Sequence, residues 1–102
     1  MNKSVELLKE LTLAAGPSGF EHEVGEIIKK HLQGVGEITT DSIGNILCEI
    51  EGTKKDSKKV VLAAHQDEIG FMVSNIIEGG FLRFVTLGRV GCREPSSNLQ
   101  SL

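Results

Sequence analysis

The stretch Val60-Val61-Leu62-Ala63-Ala64-His65-Gln66-Asp67-Glu68 decides how this chain is read. Five consecutive apolar residues, β-branched at their start, fit a strand buried on both faces, as in parallel sheets covered by helices. The run then stops at a polar cluster. In open α/β sheets ligands gather just past the carboxyl ends of strands, so residues 65–68 are where chemistry is expected. If the extended geometry persists, His65 and Asp67 share one face and Glu68 points the opposite way. One of the pair can then ligate a metal ion while the other orients it, because a ligating imidazole commonly has its geometry fixed by an outer group. An isolated His-x-Asp more often merely solvates a strand end, and spacing alone does not make these residues a site.

Upstream of this stretch the spacing Val5, Leu7, Leu8, Leu11 predicts a helix, capped by Ser4 and ending near Gly16. Gly16-Pro17-Ser18-Gly19 must be a tight loop, since Pro17 biases its predecessor away from helical angles. From Phe20 the pattern Val24, Ile27, Ile28, His31, Leu32 predicts a second helix, with glutamates early and lysines late to match the dipole, ending near Gly34 or Gly36. The period then changes to two. Residues 37–40 and 45–51 read as a hairpin around Asp41-Ser42-Ile43-Gly44-Asn45. Ile46, Cys48 and Ile50 share one face of it, which makes Cys48 a small core residue. Residues 52–59 form a solvated, lysine-rich loop. Downstream, 69–77 and 81–87 are strand-like on either side of Gly79-Gly80, a second hairpin. After Gly88 no period survives, and 89–102 reads as loop or tail.

Composition narrows the function. The 102 residues carry 11 Lys+Arg against 14 Asp+Glu, a net charge of -3, and four Phe are the only aromatic residues. A nucleic-acid partner is set aside, because neither a basic footprint nor a stacking surface is present. No apolar run approaches the roughly 20 residues of a membrane span, and residues 1–9 hold no signal core, so a cytoplasmic protein is expected. Cys48 and Cys92 are far apart and read as reduced thiols. His22 and His31 read as structural, His31 being favourable near a helix C-terminus. The loop at 16–19 lacks the lysine and preceding strand of a phosphate cradle, and Ser18 lacks the strand-to-helix elbow of a serine nucleophile.

Three separated segments occur in a telling order: Gly16-Pro17-Ser18-Gly19-Phe20-Glu21, then Asp41-Ser42-Ile43-Gly44-Asn45, then the eleven residues from Ala63 to Val73. Together they resemble the M42 family of metallo-aminopeptidases, and the similarity extends through Gly79-Gly80-Phe81-Leu82-Arg83-Phe84 to about residue 88. The resemblance implies an α/β fold: 1–67 as the N-terminal part of an αβα-sandwich catalytic domain, 68–88 as the start of an inserted β domain for oligomerisation, and 89–102 as a divergent tail. It also implies a hydrolase with two divalent metal ions, zinc or cobalt, that removes N-terminal residues from peptides within an assembly of twelve subunits. Some relatives carry cellulase or endoglucanase labels. The histidine matching His65 is a metal ligand in that family, and the aspartate matching Asp67 steadies the site as part of the catalytic machinery.

The sequence departs from the family in two ways. The bridging aspartate, the catalytic glutamate pair and the other ligands come from further along family chains, and relatives continue differently after Gly88. A frameshifted, truncated or partial product is therefore expected, inactive by itself because zinc wants about three or four protein ligands. Two rival readings remain: a non-catalytic module that binds full-length subunits, and a glycan hydrolase working through paired carboxylates. The absence of Trp and Tyr for stacking on sugars counts against the latter.

Overall fold

The computed structural model describes residues 2–88 and the backbone of 99–101. Two helices come first, α1 (Lys3–Leu13) and α2 (His22–Leu32). Asn2 rather than Ser4 caps α1: the Asn2 side-chain oxygen accepts from the Ser4 amide at 3.0 Å, satisfying one of the orphan donors of the first turn. Ser4 thus lies one step inside the helix. The two helices are linked by charge, with Glu10 of α1 receiving Lys30 Nζ at 2.9 Å and lying 2.7 Å from His31 Nε2. These contacts hold the Glu10 carboxyl below its ordinary range, the hydrogen bond with His31 being the largest cause and that with Lys30 the next. His31 is therefore structural, as its position near the helix C-terminus predicts.

After a turn at Gly34, strands β1 (Glu37–Thr40) and β2 (Ile46–Glu49) pair antiparallel with Glu37 opposite Glu49 and Thr40 opposite Ile46. Asp41 builds their connection. One of its oxygens accepts from the amides of Ile43 and Asn45, at 3.1 and 2.8 Å, and the other accepts from the Asn45 side chain at 2.8 Å. The Asn45 side-chain bond, followed by the Asn45 backbone bond, lowers the Asp41 pKa. Gly44 takes φ +90°, a conformation that favours glycine. Cys48 is half-buried, and Ile50 falls beyond the strand end and is exposed, so the expected core face of three residues reduces to Ile46 and Cys48.

Residues 60–64 differ most from expectation. They form no strand, and Val60, Val61 and Leu62 are 82%, 84% and 95% exposed. The composition encodes a strand enclosed by neighbours, but a strand is stabilised only by partners on its edges and faces, and no described residue supplies them. The extended chain regains partners at Glu68, whose isolated parallel bridge to Pro17 precedes β3 (Gly70–Ile77).

β3 pairs antiparallel with β4 (Phe81–Leu87) across the Gly79-Gly80 turn, with a bulge between Val73 and Asn75. Phe71 and Phe84 meet edge to face, their ring centroids 4.8 Å apart. β5 (Leu99–Ser101) adds a third strand on β4, with Leu99 opposite Arg83, inside the segment read from sequence as loop or tail. Cys92 lies outside the described residues. The fold is thus mixed α/β with two separate antiparallel sheets. Among the described residues only Ala14 and Val24 are buried apolar side chains, each still 6% exposed, and no helix is long and apolar enough to cross a membrane.

Candidate metal centre

The four residues 65–68 alternate as extended backbone requires, and each face has its own task. On one face, His65 Nδ1 lies 2.9 Å from the Asp67 carbonyl oxygen and 3.1 Å from Asp67 Oδ1. Both neighbours can only accept, so Nδ1 is the nitrogen that carries the proton. In the neutral ring this leaves the Nε2 lone pair without a hydrogen-bond partner among the described residues, on a side chain that is 85% exposed, whereas Asp67 is half-buried. A neutral imidazole with Nδ1–H bound to a carboxylate and Nε2 available is the form that ligates a divalent ion. Sequence reading placed His65 and Asp67 on one face, and they meet there.

On the opposite face, Gln66 and Glu68 tie the segment to the two other motifs. Gln66 Nε2 donates to the Gly44 carbonyl at 3.1 Å, reaching the β1–β2 turn. Glu68 grips Gly16 twice: its amide donates to the Gly16 carbonyl at 2.8 Å, and its Oε1 accepts from the Gly16 amide at 3.1 Å. Around this clasp the packing is close. A Cβ on Gly16 would stand 2.5 Å from Val24 Cγ2, and one on Gly70 would stand 2.5 Å from Pro17 Cβ. The neighbouring amides of the loop are also taken by carboxylates, Ala15 by Glu23 at 3.3 Å and Gly19 by Glu21 at 2.7 Å. The 16–19 loop is therefore a docking turn for residues 66–68, a role beyond the helix-to-helix connection read from sequence. Ser18 packs near Asp67 and Gly88, where a Cβ on Gly88 would lie 3.3 Å from Ser18 Cβ and 3.7 Å from Asp67 Oδ2.

An open cleft of about 370 Å³ lies behind the segment, with Phe20, His22, Lys29, Ile46 and Gln66 among its walls. Neither His65 nor Asp67 lines it, so the cleft is separate from the candidate centre. His22 sits there as a wall residue. Among the described residues no three His, Cys, Asp or Glu side chains come together as a metal site would require. The donor chemistry present fits one ligand, His65, with its orienting carboxylate, and does not fit a complete coordination sphere. Sequence reasoning missed Gln66 and Glu68 as anchors. The signal available was their alternation with His65 and Asp67, which gave the direction of Glu68 but not its partner.

Comparison with known proteins identifies the family. The M42 glutamyl aminopeptidase family matches residues 44–96, running past the Gly88 at which the sequence reading ended the resemblance. The chain is 44% identical over 86 residues to FrvX of Escherichia coli K12, whose aminopeptidase name is itself provisional, covering 83% of this chain and 23% of FrvX. A solved TET aminopeptidase from the marine-sediment archaeon Thaumarchaeota archaeon SCGC AB-539-E09 superposes with a TM-score of 0.74 at 42% identity, over 86% of this chain and 25% of that one. A solved Thermotoga maritima chain named endoglucanase has a TM-score of 0.69 at 38% identity, over 81% of this chain and 27% of that one. The chain spans about a quarter of the length of each of these relatives. With the family matched over more than half of the chain's residues, and the first two motifs bonded to Glu68 and Gln66 of the third, the chain belongs to the M42 glutamyl aminopeptidase family.

Proposed function

We propose that this chain acts as the N-terminal part of a dinuclear-metal aminopeptidase that removes N-terminal residues from peptides, in the cytoplasm and within a homo-oligomeric, twelve-subunit assembly. Residues 1–67 belong to an αβα-sandwich catalytic domain, 68–88 begin an inserted β domain, and 89–102 form a divergent tail. The observation that carries the reading is the imidazole of His65, turned by Asp67 so that Nε2 is free. His65 would hold one of two zinc or cobalt ions and Asp67 would fix the ring. Such ions, when bound, act as Lewis acids toward a carbonyl and lower the pKa of a water nucleophile. The β3–β4 ribbon supports a subunit-contact role, since Phe71, Val73, Ile76 and Val85 are exposed on it.

The test grafts residues 1–88 in place of the matching quarter of the Thaumarchaeota TET aminopeptidase. Chelator-sensitive release of N-terminal residues from peptides is expected, and His65→Ala should abolish it. A chimera that works equally well without His65 overturns the reading. The 102-residue chain alone should hydrolyse no aminoacyl anilide with added zinc or cobalt, because its described residues supply one ligand where about three or four are needed. Appreciable turnover by the purified chain would contradict this.

The endoglucanase name of the Thermotoga maritima relative keeps a second reading in view. A glycan hydrolase would use paired carboxylates and would be indifferent to chelators. Chelator sensitivity of the chimera decides between them. Co-purification of the 102-residue chain with a full-length M42 subunit, without catalysis, would instead favour a non-catalytic binding module.

A further inference from the structure

Residues 50–67 contain no helix or strand, and the apolar run just before His65 is almost fully exposed. No hydrogen bond from 60–64 reaches the imidazole among the described residues. Among the described residues, the hydrogen bonds that tie the backbone of this segment to the rest of the fold come from its other face, the Gln66 bond to Gly44 and the double Glu68 bond to Gly16. Gly16 is in turn seated against Val24, which is buried in α2, and the clasp continues directly into the close Pro17–Gly70 approach. Asp67 lies between the two anchors, with its carbonyl and carboxylate oxygens 2.9 and 3.1 Å from His65 Nδ1.

We infer that Gln66 and Glu68 are positioning residues: their hydrogen bonds to the Gly44 carbonyl and the Gly16 backbone hold Asp67 where it locks His65 as the Nδ1–H tautomer, with Nε2 free for a metal ion. This rests on the reading of His65 as a ligand given above. Glu68 contributes an acceptor, not a charge. The Gly16 amide needs an oxygen opposite it, and a glutamine side chain supplies one.

The experiment uses the 102-residue chain labelled with ¹⁵N and reads the two ring nitrogens of His65 by long-range ¹H–¹⁵N correlation, at a pH well above the ordinary imidazole range. Wild type should show one tautomer, with a protonated Nδ1 and an unprotonated Nε2 whose shifts are far apart. Glu68→Ala should bring the two shifts toward the averaged values of a solvated imidazole. Gln66→Ala should move them in the same direction by less, and Glu68→Gln should restore the wild-type pattern. A structural defect would instead perturb the amides of α1 and α2, which are read in the same sample and should not move in Glu68→Gln or Gln66→Ala. Should Glu68→Ala lose its helices, Gln66→Ala and Glu68→Gln carry the test.

An averaged tautomer in wild type, an unchanged tautomer in both alanine variants, or failure of Glu68→Gln to restore the pattern overturns the proposal. A separate arm adds Co²⁺ and follows broadening of the His65 ring protons. If Co²⁺ broadens His65 while the alanine variants keep the tautomer, the positioning role fails and the ligand reading stands. If Co²⁺ leaves His65 untouched while the variants shift the tautomer, the ligand reading fails alone.

Discussion

Replacing Gly16 with alanine tests the seating of the docking loop on α2. Gly16 does not adopt a positive φ, so alanine introduces no backbone strain and the effect is steric. The new Cβ would stand 2.5 Å from Val24 Cγ2, against an optimal carbon–carbon separation of about 3.5–4.0 Å. Val24 cannot turn away, because a β-branched side chain in a helix has essentially one χ1 rotamer. Overpacking of this kind costs about 1–3 kcal/mol. The loop is held to residues 66–68 through Gly16, so the Glu68 amide, bonded to the Gly16 carbonyl at 2.8 Å, reports the loss directly. Its hydrogen-exchange protection should fall roughly 5- to 150-fold, at one decade per 1.4 kcal/mol. Val24→Ala removes the offending Cγ2 and leaves Val24 Cβ at 3.5 Å, an ordinary contact. That variant alone should cost about 1–2 kcal/mol for two lost methyl groups. The double variant should then be less impaired than the sum of the singles by at least about 1 kcal/mol, a coupling expected only of touching residues. Additive effects, or an unchanged Glu68 amide in Gly16→Ala, would refute the argument.

Other expectations concern surfaces and charge. The Glu10 carboxyl is held below its ordinary value of 4.5, first by His31 and then by Lys30, so the folded state binds its proton more weakly than the unfolded chain. That stabilisation is fully present above pH 4.5 and is lost as pH falls through the lower folded value; helical circular dichroism should decline in this window, and Glu10→Gln should flatten the decline. Leu62 is 95% exposed, so Leu62→Lys should leave stability within about 0.5 kcal/mol while reducing self-association in sedimentation velocity. Loss of folded signal in Leu62→Lys would show that the run is covered.

Local chemistry was the legible part of the sequence. The β1–β2 hairpin could be read because Asp41, Gly44 and Asn45 carry their turn in their own side chains and angles. The helices were read from spacing, although their apolar faces are less covered than spacing promises: Val5, Leu8 and Leu13 all remain exposed. The cap of α1 was misplaced because Asn2 and Ser4 are both capping residues and pattern alone does not rank them. The run 60–64 was misread for a deeper reason. Burial is a property of a sequence and its surroundings together, and the surroundings that five apolar residues demand are not among the described elements. Leu99-Gln100-Ser101 gave no strand signal, since three residues are too few to show alternation. His65 and Asp67 were singled out by their place past an apolar run and then by the motif order, while the anchoring of Gln66 and Glu68 was invisible because their partners are main-chain atoms of glycines, which leave no mark in a side-chain pattern.

The chain has a radius of gyration of 18.9 Å, where a compact domain of this length would have about 13 Å. With Ala14 and Val24 its only buried apolar side chains among the described residues, little of the fold is held by a core. The geometry at His65 is held differently, by backbone-directed hydrogen bonds from Gln66 and Glu68. Hydrogen bonds of this kind contribute about 0.5–1.5 kcal/mol each, yet they are directional in a way that apolar burial is not. Site order and global stability are therefore separable in this chain. Substitutions at Gln66 and Glu68 should disorder the imidazole without changing the helices, whereas substitutions at Glu10 should loosen the helices without changing the imidazole. In a densely packed domain the two effects would travel together, because every side chain there shares neighbours with the core.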